Sequence, residues 1–126
     1  MLKNFLLVTF GGAIGSALRY GCSFLEVRLF PNHTFPYSTF FVNIAGCFIM
    51  GFLAGLLAQH SAFNEKMRLL LMTGLCGGFT TFSAFGLENV KMLENGQYLL
   101  FALYIAGSVI GGILAVWGGL ICIKSK

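Results

Sequence analysis

Four apolar stretches fill nearly all of this 126-residue chain, each of roughly the twenty residues a helix needs to cross a bilayer core of about 30 Å. Charged residues make up 10% of the sequence, where a soluble domain carries about a quarter. With 57% hydrophobic residues and a mean hydropathy of +0.85, the solvent around most of the chain must be lipid. The stretches run from Asn4 to Leu25, from Tyr37 to Ala58, from Met67 to Val90, and from beyond a Lys91-to-Gln97 connection to Ile123. They predict an all-α membrane protein, with residues 1–126 forming one four-span domain and no separate soluble catalytic domain. Four helices enclose little interior, so an enclosed pathway calls for a second copy. The start, Met1-Leu2-Lys3-Asn4 before an apolar run, has the look of a signal peptide. It lacks a small-x-small site ahead of a soluble domain, so the first span is expected to stay attached.

The net charge of +4 does not point to nucleic acid, because the basic residues flank the spans and do not cluster. An even number of spans puts both ends on one side, together with Lys3, Lys66, Arg68, Lys124 and Lys126. Arg28 and Lys91 fall opposite, and Arg19 lies in or near the membrane. Five against two favours cytoplasmic termini, but two terminal lysines supply much of that bias, so insertion in both orientations stays open. Cys22, Cys47, Cys76 and Cys122 lack CxxC or Cys/His spacing and read as small packing residues. Gly11-Gly12-x-x-Gly15-Ser16 in the first span and Gly107-x-x-x-Gly111 in the fourth leave faces with little bulk, as close helix contacts in membranes require.

The third span is the exceptional one. Residues 73 to 85, Thr-Gly-Leu-Cys-Gly-Gly-Phe-Thr-Thr-Phe-Ser-Ala-Phe, hold three glycines and four hydroxyls at membrane depth, with no ionisable group. Non-helical backbone there must be buried in protein or line a polar cavity. The pattern predicts a helix broken around 74 to 81 that serves an ion or small solute.

The candidate residues each carry two readings. Arg19 either snorkels to the headgroups or faces a vestibule, where its permanent charge attracts anions. Asn43 either bonds helix to helix or offers N–H donors to a pathway, and Thr39 shares its face. Phe82 and Phe85, three apart beside Ser83, are packing residues or present electropositive ring edges to a small anion. Tyr104 and Ser108, four apart, extend a polar track or satisfy helix carbonyls. Glu88 reaches the far interface or pairs with a donor such as Arg19. Glu26, Glu65 and Glu94 read as solvated charges, and His33 and His60 as interfacial.

Taken together these segments resemble the fluoride channel (Fluc/CrcB) family over essentially the full length. The residues that carry the resemblance are Gly11-Gly12-x-x-Gly15-Ser16-x-x-Arg19-Tyr20, Phe35-Pro36-x-x-Thr39-x-x-x-Asn43-x-x-Gly46, Gly77-Gly78-Phe79-Thr80-Thr81-Phe82-Ser83-Ala84-Phe85-x-x-Glu88, and Tyr104 with Ser108. The resemblance implies an antiparallel, dual-topology homodimer in a prokaryotic plasma membrane, with two fluoride pathways that passively export fluoride. It implies that Phe82 and Phe85 line the pores with Asn43 as donor, Arg19 at the aqueous mouth, Tyr104 against Phe82 or Phe85, and Thr39, Ser83 and Ser108 as further polar contacts. It also implies a structural Na⁺ at the dimer centre, held by carbonyls of Gly77 and Thr80 from both subunits. One departure is Ala84, where the family run has Thr.

A proton-coupled exporter of cationic drugs has similar length and four spans, but it needs an embedded acid, and the first span has none before Glu26. A purely structural assembly protein leaves the Thr-rich break without a task. An intramembrane enzyme has no nucleophile and base at plausible spacing.

Overall fold

A computed structural model describes residues 1–60 and 64–124. The chain forms helix α1 (Leu2–Leu29), helix α2 (Tyr37–Gln59), a composite third span over residues 65–94, and helix α6 (Tyr98–Lys124). All four are long and apolar enough to cross a membrane. The third span is built from a short α3 (Glu65–Met67), a π-helical segment (Arg68–Cys76), a short α4 (Gly77–Phe79) and α5 (Phe82–Glu94). Of the turn expected over Gln59 to Lys66, residues 61–63 lie outside the described residues, as does Lys126.

Two boundaries differ from expectation and one agrees with it, each for a physical reason. First, α1 continues to Leu29, where the Phe30 N–H closes a last turn on the Glu26 carbonyl at 2.8 Å. Glu26 therefore belongs to the helix and is not in a solvated connection. Second, α2 begins after Pro36, whose missing N–H costs nothing ahead of the first turn. Third, the break is shorter than the predicted 74 to 81. The chain stays helical through Phe79, wound wide enough over Arg68–Cys76 that the Gly77 N–H reaches the Met72 carbonyl five residues back. Only Thr80 and Thr81 are extended.

The glycines of the third span do not break it; they let α1 approach. A Cβ on Gly11 would collide with the Leu70 carbonyl and stand 2.9 Å from the Leu75 nitrogen. One on Gly15 would stand 2.7 Å from the Phe79 nitrogen, and one on Gly74 2.9 Å from the Val8 oxygen. Backbone thus packs on backbone along α1 and the π-helical segment. The same device joins α2 to α6, where a Cβ on Gly119 would lie 2.6 Å from the Phe52 nitrogen. The third span ends at Gly96, whose φ of +70° supplies the left-handed turn. There Gln97 N–H reaches the Met92 carbonyl at 2.8 Å and Gly96 N–H the Leu93 carbonyl at 3.1 Å.

Candidate functional site

The break is held by one side chain. Asn43, from the middle of α2, donates its amide N–H to the Thr81 carbonyl at 3.0 Å and accepts the Thr81 N–H on its amide oxygen at 2.8 Å. Both backbone groups of an extended residue are thereby satisfied without a helix or water, and the amide orientation is fixed, since only one way round makes both bonds. The Thr81 hydroxyl then caps α5, accepting the Ala84 N–H at 3.3 Å, and Thr80 ends α4 with its hydroxyl on the Cys76 carbonyl at 2.9 Å. The reading of Asn43 as a helix-to-helix bond is thus realised, and one of its two N–H groups is left over for another acceptor.

These substitutions of partner free two carbonyls. The Thr81 N–H would close an α-helical bond on Gly77, but it goes to Asn43. The Ala84 N–H would do the same on Thr80, but it goes to the Thr81 hydroxyl. Among the described residues no cluster of three His, Cys, Asp or Glu side chains is placed to hold a metal. The oxygens at the break are backbone carbonyls, the Thr80 and Thr81 hydroxyls and the Asn43 amide oxygen.

From the break a row of rings runs toward one end of the bundle. Phe82 and Phe85 lie 5.9 Å apart between centroids, Phe85 and Tyr104 4.9 Å, and Tyr104 meets Phe35 edge-on at 5.3 Å. Phe82 is 83% exposed on the surface of the protomer, whereas Tyr104 is fully buried. Beside the rings stand polar groups. Ser83 is exposed, with its oxygen 3.4 Å from the Thr81 hydroxyl. Ser108 is turned inward with its hydroxyl oxygen buried and unpaired. Thr39 and Tyr104 donate to opposite oxygens of Glu88, at 2.6 and 2.7 Å.

Glu88 therefore pairs with donors, though not with Arg19. Two hydroxyl donors inside the bundle satisfy it, one from α2 and one from α6. Arg19 is half-buried and lines a cleft of about 290 Å³ with Ser16, Ser23, Ser38, Thr39 and Thr81. A second cleft of about 240 Å³ borders Asn43, Thr80, Thr81 and Phe82. The structure thus gathers Arg19, Thr39, Asn43, Ser83, Phe82, Phe85 and Tyr104 around the break, and Gly77 and Thr80 form its carbonyl side. The sequence reading had no function for Thr81 or for the buried carboxylate Glu26. The signal available for Glu26 was Ser38, a hydroxyl at the start of an apolar helix with nothing local to bond.

The model of the CrcB-like protein, Camphor Resistance (CrcB) family matches residues 6–120. The chain belongs to the CrcB family. A protein of Flavobacterium psychrophilum is 44% identical over 123 residues, covering 98% of each chain. One from Methylobacillus flagellatus is 47% identical over 119 residues, 94% of this chain and 93% of its own. A third, from Chlorobium phaeobacteroides, is 47% identical over 118 residues, 94% of this chain and 90% of its own. Each of the three carries the name fluoride-specific ion channel FluC. The CrcB match spans all four helices, including the break and the ring row.

Proposed function

We propose that this CrcB-family protein is a fluoride channel of the inner membrane, letting fluoride leave the cell down its gradient. It is a channel and not an enzyme, as the full-length similarity to proteins named fluoride-specific ion channels supports. The observation that carries the reading within this chain is the clamped break. Asn43 opens the third span at Thr81 and sets Phe82 and Phe85 directly after it, beside unpaired polar groups.

Fluoride is small and strongly hydrated, so a pore must replace its water with donors at short range. The second Asn43 N–H, the unpaired Ser108 hydroxyl, Ser83 and the electropositive edges of Phe82 and Phe85 are such donors. Thr39 and Tyr104 extend the track through Glu88, and Arg19 draws anions to the mouth. Chloride is larger and gains less from donors fixed at the smaller radius, which gives selectivity by geometry and lost hydrogen bonds.

The pathway is completed by a second copy in antiparallel, dual-topology arrangement. Support comes from Phe82, whose ring lies 83% exposed next to the break; a pore-lining ring needs a wall opposite it. The freed carbonyls of Gly77 and Thr80 suit a hard cation, which takes oxygen ligands. Two such pairs, one from each subunit, would hold a structural Na⁺ on the dimer axis. When bound, that ion would supply charge to the two carbonyls whose helical N–H partners are diverted to Asn43 and Thr81.

Liposomes holding only this protein test the reading with an ion-selective electrode. Fluoride efflux with little chloride efflux, and no need of a proton gradient, is expected. Equal rates for the two anions, or dependence on a proton gradient, would overturn it.

A further inference from the structure

A polar cluster apart from the break lies at the end of α1. Glu26 has a side chain only 10% exposed, and one of its carboxylate oxygens accepts from the Ser38 hydroxyl, itself 3.4 Å from the Ser23 hydroxyl. The other oxygen is buried without an aligned hydrogen bond and faces His33 Nε2 at 3.1 Å. The opposite ring nitrogen of His33, Nδ1, is bonded to the Phe30 carbonyl. A carbonyl only accepts, so Nδ1 must carry a proton.

Both partners of the 3.1 Å contact are then acceptors unless one more proton lies between them. It rests on Nε2, giving an imidazolium and a carboxylate, or on Glu26, giving a neutral ring and a carboxylic acid. In either form the pair is neutral with the proton and carries −1 without it. Among the described residues no third His, Cys, Asp or Glu stands with the pair.

The pair borders a cavity of about 470 Å³ that Glu88 and Lys91 also line. We propose that Glu26 and His33 form a proton-binding site at the mouth of this vestibule, and that its occupancy sets the charge fluoride meets there. With Glu88 and Lys91 counted as −1 and +1, the lining sums to zero when the site is protonated and to −1 when it is empty. The other titratable or charged groups facing the pair leave that difference intact. Arg28 on α1 is stacked on the Phe24 ring at 4.7 Å, Tyr37 on α2 holds its ring 6.2 Å from His33, and the Tyr104 hydroxyl on α6 is bonded to Glu88.

The sign follows directly. Low pH fills the site and lets fluoride approach a neutral mouth; rising pH empties it and repels the anion. The inference rests on the pathway reading above, in which the polar track runs through Glu88, and Glu88 lines this cavity.

Fluoride efflux from liposomes at equal pH on both sides, less the leak of HF from protein-free liposomes, tests it. From about pH 5.5 to about pH 8 the wild-type rate should fall roughly two- to fivefold, as one added charge several ångströms from the anion implies. His33→Gln should stay at the slow rate throughout, and His33→Lys at the fast rate. Impermeant salt should shrink the wild-type difference. A flat wild-type profile, a His33→Gln profile that matches wild type, or a His33→Lys variant that slows with pH would each overturn the proton site. Phe85→Ile in the same liposomes reports on the route separately: undiminished flux there overturns the pathway, whatever the His33 profiles.

Discussion

Asn43 is the residue on which the site depends, because it does for Thr81 what a helix would otherwise do. Thr81 is 7% exposed, and leaving its buried N–H and carbonyl unpaired costs about 1–3 kcal/mol each. Asn43→Ala should therefore lower the thermal midpoint of the protein in detergent and cut fluoride efflux at least about tenfold, as losing a stabilisation of more than about 1.4 kcal/mol implies. Phe82 makes the opposite case. Its ring is 83% exposed on the protomer, so Phe82→Ile should change protomer stability by no more than about 0.5 kcal/mol while fluoride efflux collapses. Unchanged efflux from Phe82→Ile would reduce the ring to packing. The Glu88 carboxylate shows how far a single side chain can be misjudged from sequence. Its oxygens needed donors, and Arg19 was the one the sequence reading named, yet two neutral hydroxyls from other helices supply them.

At the scale of elements, the close pairing of α1 with the third span rests on backbone contact. Gly15→Leu would drive its side chain into the Leu75 carbonyl and the Phe79 nitrogen, and it should abolish folded protein on size-exclusion chromatography. Gly21 and Gly86 have open space where a Cβ would stand. Alanine at either should stabilise the protein by up to about 1 kcal/mol and raise its unfolding midpoint slightly, because glycine loses more freedom in a helix. Gly96→Ala should act in the other direction, since its φ of +70° strains any side chain. The wide winding of Arg68–Cys76 belongs to the same contact. It was not visible as a pattern, because the apolar residues there read equally well at α-helical spacing.

For the whole molecule, the protomer exposes 8194 Å², more than the roughly 6,600 Å² a compact soluble monomer of 13.7 kDa would show. Large apolar residues such as Phe10, Leu103 and Trp117 are among those exposed, as lipid or a second copy would require. If Na⁺ bridges two copies through Gly77 and Thr80, replacing it with a bulky organic cation should lower the dimer's midpoint. A site held at a hundred times its dissociation constant would contribute about 2.7 kcal/mol. Equal midpoints in the two salts would remove the ion from the proposal.

Four lipid-embedded helices, an interruption in the third and two phenylalanines after it are all legible in the order of the residues. These follow from local quantities: the length of apolar runs, and glycine and hydroxyl residues at a depth where the backbone has no water. Which polar group meets which is a matter of how the helices pack. Asn43 lies 38 positions from Thr81, Thr39 lies 49 from Glu88, and Glu26 meets both Ser38 and His33. Such pairings depend on how each helix is rotated and how deeply it sits against its neighbours, and glycine-mediated backbone contact sets both.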